Sequence, residues 1–454
     1  MARTILMTLM CGLLVLGQVA PAAAQGSGGE AEQAEEEKKE KKEKKKGRSW
    51  GKTEDGEEWG AGKSQQMGPR LYKKYIAAFE LYQEEQLDSA IKILSNIRMS
   101  RLTPYERSKI YELLGFCAYA KEDTAGTRDY MQKALDEDGF LRDKNADIQF
   151  TIARLYASDQ EWDNAIASLD KWFAIAEKPS SAAYNLQALV YFQQQDYDSA
   201  LEPAQKAVDL AVKPNEGWLR LLLAIRLTKQ HYKESVPVLE SLVANFPKKA
   251  YWLQLSTVHG ALGSYEKALV PLQLAHAQDL LETDAEVRRL SQLLMFLELP
   301  YRSALVLEEG LDDEKVDADV DGWEMLSNSW IAAREYEKAV APLETAAQLD
   351  PTGDLFVRLA QVHIQREKWA EATRALSQGI AKGELEKPGD ALLLMGIAHY
   401  SNKSPATARS WFVRARGHAD SRKEADTWIQ YVDRELAAQA AAGGGQAEAP
   451  ATGG

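Results

Sequence analysis

Residues 323–351 read WEMLSNSWIAAREYEKAVAPLETAAQLDP. Trp323, Leu326 and Trp330 fall at i, i+3 and i+7, which is one face of a helix. After a short polar turn, Val340, Leu343 and Ala347 make a second apolar face. Ser327 and Ala339 put small side chains where two such helices must meet, and Pro351 stops the second one. The same unit recurs along the chain. Ala165, Ala200, Ala268, Ala304, Ala339 and Ala372 each follow an aromatic by three residues: Trp162, Tyr197, Tyr265, Tyr301, Tyr336 and Trp369. Ser235 follows Tyr232 in the same way. The steps between these anchors are 35, 35, 33, 36, 35 and 33 residues. A fixed period of this size predicts a stack of supersecondary units, each burying its face against the next, in place of one central core. Pro214 and Pro247 close other units as Pro351 does.

Trp252, Leu255, Ser256, Tyr265, Ala268, Leu272 and Ala275 occur in the order of the tetratricopeptide repeat pattern. Phe356, Leu359, Ala360, Trp369, Ala372 and Leu376 do so too. Further matches run through Tyr111, Leu114 and Gly115, through Ile152, Ala153, Tyr156, Trp162, Ala165 and Leu169, and through Tyr184, Ala188, Tyr191, Tyr197, Ala200 and Ala207. Weaker units carry Ala78, Ala90 and Leu94, Thr127 in the alanine place, Gln292 at the usual small position, and Met395, Gly396, Ala408, Phe412 and Ala415. The chain therefore resembles the tetratricopeptide repeat family over about ten units, roughly residues 69–418. The resemblance implies an all-α, right-handed α-solenoid whose first helices line a concave, partner-binding face. Trp428 to Leu436 reads as a helix capping the last unit. The first two steps, Ala90 to Thr127 and Thr127 to Ala165, are 37 and 38 residues, so longer turns are expected between those units.

Outside the array, residues 1–24 read as a cleavable export signal. Arg3 precedes an apolar run from Ile5 to Val19, and Ala22-Ala23-Ala24 stands before Gln25. The run is short for a span of about 20 apolar residues. The expectation is a periplasmic protein cut after Ala24. Residues 25–66 form a charged linker without apolar periodicity. From Glu30 to Arg48 they hold seven acids and eight bases, the bases crowded into 38–48. That arm reads as a solvated spacer or as an electrostatic contact for anionic lipid or an acidic partner. Trp50 and Trp59 read as a docking peptide or as incidental residues. From 437 the chain is Ala, Gly, Gln and Pro, and a disordered tail is expected through 454.

The net charge of −13 disfavours sequence-independent nucleic-acid binding, which needs a basic face. Once Cys11 is removed with the signal, Cys117 is alone and reads as a small apolar core residue. The six histidines form no metal-binding spacing, and His259, His363 and His399 share the register of an inward aromatic, nine residues before each unit's alanine. Residues 310–321, GLDDEKVDADVD, hold a D-x-D-x-D run but lack the glycine and glutamate of a calcium loop, so they read as a solvated acidic loop. No nucleotide, hydrolase or zinc motif is present, and neither a cofactor, a metal nor catalysis is expected.

What remains is the face of the first helices. Register places Tyr72, Tyr75, Phe79, Tyr82, Arg154, Asn185, Phe192, Arg220, Arg289, Phe296, Asn328, Gln361 and Tyr400 on it. Aromatic, Arg and Asn side chains suit an extended peptide, with rings for its side chains and amides for its backbone. The reading is a non-catalytic scaffold for a protein or peptide partner in the cell envelope. Its layout of signal, charged linker and array resembles the periplasmic repeat proteins that accompany TonB-type systems; outer-membrane biogenesis and polysaccharide export are the other settings. Two alternatives stand beside it: a structural link from membrane or peptidoglycan through the Lys-rich arm, and a carbohydrate-binding or enzyme-accessory protein using the first, aromatic unit.

Overall fold

A computed structural model describes residues 65–444, and helices are its sole regular elements there. Two compact units divide it. The first, up to Lys229, contains α1 (Pro69–Gln83), α2 (Leu87–Ser95), a 3-10 turn (Met99–Arg101), α3 (Pro104–Ala120), α4 (Thr124–Asp136), α5 (Arg142–Ser158), α6 (Trp162–Ile175), α7 (Ser181–Gln193), α8 (Tyr197–Asp209) and α9 (Glu216–Thr228). The second, from Gln230, contains α10 (Tyr232–Asn245), α11 (Lys249–Ala261), α12 (Tyr265–Ala277), α13 (Asp284–Phe296), α14 (Pro300–Asp312), α15 (Val320–Ala332), α16 (Tyr336–Leu349), α17 (Asp354–Gln365), α18 (Trp369–Lys382), α19 (Pro388–Ser401), α20 (Pro405–Ala415) and α21 (Arg422–Gly444). Within each unit every helix packs on its neighbours in sequence, which is the stacking of an α-solenoid of helix pairs.

One local device repeats at the turn inside each pair. Within the units, Glu85, Glu122, Gln160, Gln195, Gly263, Glu298, Arg334, Glu367 and Lys403 all have positive φ, and each stands two residues before the first residue of an even-numbered helix. The following residue donates its N–H back across the helix end, as Gln86 does to the Leu81 carbonyl and Glu335 to that of Trp330. This is the Schellman closure, in which a left-handed residue satisfies the last carbonyls. Gly263 alone is the residue type that takes this conformation without strain.

α6, α8, α10, α12, α16 and α18 then open with their aromatic, and the small residue three places on is driven into the partner helix. Ala165, Ala200, Ala304, Ala339 and Ala372 are fully buried. In α15 and α16 the approach is close enough for Ser327 Oγ to donate to the Ala339 carbonyl at 3.1 Å. Leu343, Ala347, Leu326 and Trp330 are buried on the two expected stripes. Each large side chain buried this way contributes roughly 1.5–3 kcal/mol. Pro203, Pro237, Pro271 and Pro342 sit inside helices and do not end them.

The two long steps resolve differently. Between α2 and α3 the extra residues make the 3-10 turn. Between α4 and α5 the connection is ordinary, and the added length goes into α3 and α5, at 17 residues each. Ser291, not Gln292, holds the small position of α13: Ser291 is fully buried and Gln292 is exposed. By the same register the anchor of α14 is the fully buried Ser303, one residue before Ala304, so the 36-residue step runs from Ser303 to Ala339, across the longer connection before α15. The C-terminal cap forms, with Ile429 and Val432 buried against Ala408 and Phe412. Its helix runs to Gly444, past position 436 where the array was expected to end. The export signal, the Lys-rich arm, Trp50 and Trp59 lie outside the described residues.

Candidate functional site

Odd-numbered helices spend one face on their even-numbered partners. What they leave over is the candidate surface, and it differs between the units.

In the first unit this face is aromatic. Tyr75 and Phe79 stack at 6.5 Å, Phe79 meets Tyr82 at 6.1 Å, and Tyr82 meets Phe116 of α3 at 6.4 Å. These rings rest half-buried on Leu71, Ala78, Leu113 and Leu114, so they are largely packing. Tyr72 is exposed. Lys109 Nζ lies 5.7 Å from the Tyr75 ring and pairs with the buried Glu112 carboxylate, which also takes Lys144 at 2.6 Å. Burial opposes the Lys109 charge, but Glu112 more than offsets it and holds its pKa above the usual lysine value. Burial raises the Tyr75 hydroxyl pKa. Arg154 and Arg220 are exposed and Asn185 is half-buried. Phe192 lies edge-on to Tyr197 at 5.5 Å. Cys117 is buried, and burial pushes its thiol up to about 11, as befits an inert core residue.

In the second unit the face is polar and ordered by register. Count from the buried small residues Ser256, Ser291, Ser327 and Ala360 of α11, α13, α15 and α17. One residue on stand Thr257, Gln292, Asn328 and Gln361, four uncharged hydrogen-bonding side chains in successive odd-numbered helices. Two residues back stand Gln254, Arg289, Met325 and Arg358. Arg289 donates to Thr257 Oγ1 at 2.8 Å, and Arg358 donates to Glu324 at 2.8 Å. The buried Oδ1 of Asn328 and Oε1 of Gln254 have no hydrogen-bond partner among the described residues. Sequence reasoning found Arg289, Asn328 and Gln361 but missed Thr257, Gln254, Glu324 and Arg358. The signal was their place in register, one residue after or two or three before Ser256, Ser327 and Ala360, which the sequence pattern itself supplies.

Two expected members of this face belong elsewhere. Tyr400 turns to the cap: its hydroxyl donates to Glu435 at 2.5 Å, and its ring packs on Trp428 and Tyr431. Phe296 lies 4.6 Å from Tyr265, the first residue of α12, at the turn end of the helix pair. The acidic stretch 310–321 is also not a free solvated loop. It begins in α14, Lys315 gathers Asp279 and Asp313, and Asp319 caps α15 through the Gly322 N–H while bonding Arg288 at 3.0 Å.

His259 and His363 are buried and His399 stacks on Trp411 at 6.4 Å; burial lowers the pKa of all three. Among the described residues no group of three or more His, Cys, Asp or Glu side chains could hold a metal ion. No described helix is long and apolar enough to cross a membrane. A shallow cleft lies in the second unit between Leu299–Arg302 and Ala332–Arg334, without a set of groups suited to acid–base or nucleophilic chemistry.

The tetratricopeptide repeat family model matches residues 150–211 and 357–422. A search of curated proteins gives no match. Among solved structures the chain is similar to a tetratricopeptide repeat protein from Parabacteroides merdae, at 11% identity, covering 64% of this chain and 99% of that one, with a TM-score of 0.32. It is similar to the TPR2AB domain of yeast Sti1 in complex with pHSP90, at 13% identity, covering 63% and 98%, with a TM-score of 0.30. It is also similar to MamA from Desulfovibrio magneticus, at 14% identity, covering 38% and 97%, with a TM-score of 0.28.

Proposed function

The chain is an array of tetratricopeptide repeats, and we propose that it is an exported, non-catalytic scaffold that binds an extended segment of a protein partner along its odd-numbered helices. The observation that carries this reading is the row Thr257, Gln292, Asn328 and Gln361. Packed helices repeat at about 8–10 Å. An extended chain covers that distance in about three residues. A row of amides and a hydroxyl at that spacing meets the N–H and C=O groups of such a chain at regular intervals and asks little of its sequence. The sequence of residues 1–24 supports export. An envelope assembly is the expected setting: TonB-type transport, outer-membrane biogenesis or polysaccharide export.

A photo-crosslinking residue placed at Gln361, and in parallel at the exposed Glu344 of α16, tests the reading in intact cells. One identified envelope protein should be captured from Gln361 and not from Glu344, and should bind the purified repeat protein again in isolation. Equal labelling from both positions would refute a binding face on the odd-numbered helices. N-terminal sequencing of the recovered protein should begin at Gln25; recovery of the intact chain from the cytosol would refute export.

A further inference from the structure

The second unit holds a cation that is not matched by an anion. Arg288 is gripped by Asp284 at 2.5 Å and Asp319 at 3.0 Å. Arg358 pairs with Glu324 at 2.8 Å. Arg289 occupies the register of Arg358 on α13, yet no carboxylate among the described residues pairs with it. Its bonds go to neutral hydroxyls of α11, Thr257 Oγ1 at 2.8 Å and Ser256 Oγ at 3.5 Å. Both are made by Nη2, which leaves Nε and Nη1 for another acceptor. The position that answers to Glu324, one residue earlier in register on the preceding odd-numbered helix, is Leu253. Burial lowers the Arg289 pKa with no acid opposing it, but a guanidinium keeps its proton in proteins. A half-buried positive charge is thus held in place by one edge, and its other edge lacks the counter-charge that desolvation calls for.

We propose that Arg289 receives an aspartate or glutamate side chain of the partner segment. This rests on the reading of the odd-numbered helices as the binding face. A carboxylate oxygen can accept a charge-assisted bond from Nε–H or from Nη1, the donors that remain on the guanidinium. The polar row continues on both sides of the site, with Thr257 before it and Asn328 and Gln361 after it. The bound segment therefore runs past Arg289, and the acid is a side chain and not a chain end.

The test uses the whole mature protein with 15N-labelled arginine, the Arg289 signal being identified by its loss in Arg289→Lys. The probes are a short end-blocked peptide with a central glutamate, its glutamine twin, an unblocked peptide without acidic side chains, and sodium acetate. The glutamate peptide should shift the Arg289 Nε–Hε resonance and bind about tenfold more tightly than the twin. Leu253→Glu, which supplies the acid from within as Glu324 does for Arg358, should abolish that shift and raise the melting temperature. Arg289→Met should weaken binding without lowering the melting temperature. No shift with any probe overturns the proposal. So does an equal response to glutamate and glutamine peptides, a response confined to acetate or to the unblocked peptide, or an Arg289→Met variant that loses stability along with binding. If these fail while the crosslinker at Gln361 still captures its partner, the binding face stands and the Arg289 assignment alone falls.

Discussion

Ser291, Ser303 and Ser329 form a buried chain of hydroxyls through α13, α14 and α15. Ser291 Oγ lies 2.7 Å from Ser303 Oγ, which lies 2.9 Å from Ser329 Oγ. Ser329 Oγ donates to the Met325 carbonyl at 2.9 Å, and a carbonyl can only accept. Its proton being spent there, Ser303 must donate to Ser329, and Ser291 must donate to Ser303. The direction of the chain sets an order of mutational cost. Ser303→Ala leaves the Ser291 hydroxyl proton without its acceptor, and Ser329→Ala does the same to Ser303. Ser291→Ala leaves only an acceptor unfilled. An orphaned buried donor costs about 1–3 kcal/mol, whereas replacing all partners by apolar groups of similar shape is nearly neutral. Ser303→Ala and Ser329→Ala should therefore cost roughly 2 kcal/mol each, Ser291→Ala clearly less, and the triple alanine variant less than Ser303→Ala alone. For a unit of this size 2 kcal/mol is a melting shift of about 4–8 °C. Repeat arrays open locally, so helix-resolved hydrogen exchange on α13 to α15 belongs beside the thermal melt. Equal costs for the three single variants would refute the direction assigned to the protons. A triple variant destabilised by the sum of the singles would refute the chain itself.

Three other outcomes are expected. A Cβ built on Gly396 would stand 2.3 Å from Cε1 of the buried Phe412, which stacks on Trp428 at 5.3 Å. Gly396→Ala should cost about 1–3 kcal/mol, and Phe412→Leu should restore part of it in that background; an unshifted urea midpoint for Gly396→Ala would contradict the close packing. Ala339→Trp should destabilise by a few kcal/mol through overpacking against Ser327, and an unchanged melting temperature would show the site to be open. Burial depresses the folded-state pKa of His259, His363 and His399 below the ordinary 6.5, so the unfolded chain takes up protons first. Their contribution is intact above about pH 6.5 and is lost as pH falls through the folded values, with a slope of at most about 1.4 kcal/mol per pH unit for each histidine. Stability of the second unit, followed by hydrogen exchange, should fall between pH 7 and 5, and replacing the three by glutamine should flatten the curve; an equally steep curve in the triple variant would remove the histidines as its cause.

Tyr336, Ala339 and their counterparts were legible because period and side-chain size act over one repeat, within reach of sequence arithmetic. Gln292 was placed wrongly because Tyr301 and Ala304 stand one place deeper in α14 than Tyr336 and Ala339 do in α16, and only the burial of Ser291 and Ser303 reveals it. Glu85, Gln195 or Arg334 gives no hint of a left-handed turn, since the signal sought there is glycine. Tyr400 was read as part of the open face because the docking of α21 follows no period. The isolation of Arg289 depends on what stands across from it, Leu253 in place of a glutamate, and that comparison needs the helices in their true register. The serine chain is three common residues until their oxygens are seen to meet.

Within each unit, helices touch those next to them or next but one. Such a polymer has no late rendezvous between distant ends to wait for. Each hairpin can click onto the one before it as the thread emerges, whether from a ribosome or from a narrow channel. A chain that must be drawn through a pore unfolded would gain from this wiring, because the part already delivered can ratchet shut while the rest is still in transit.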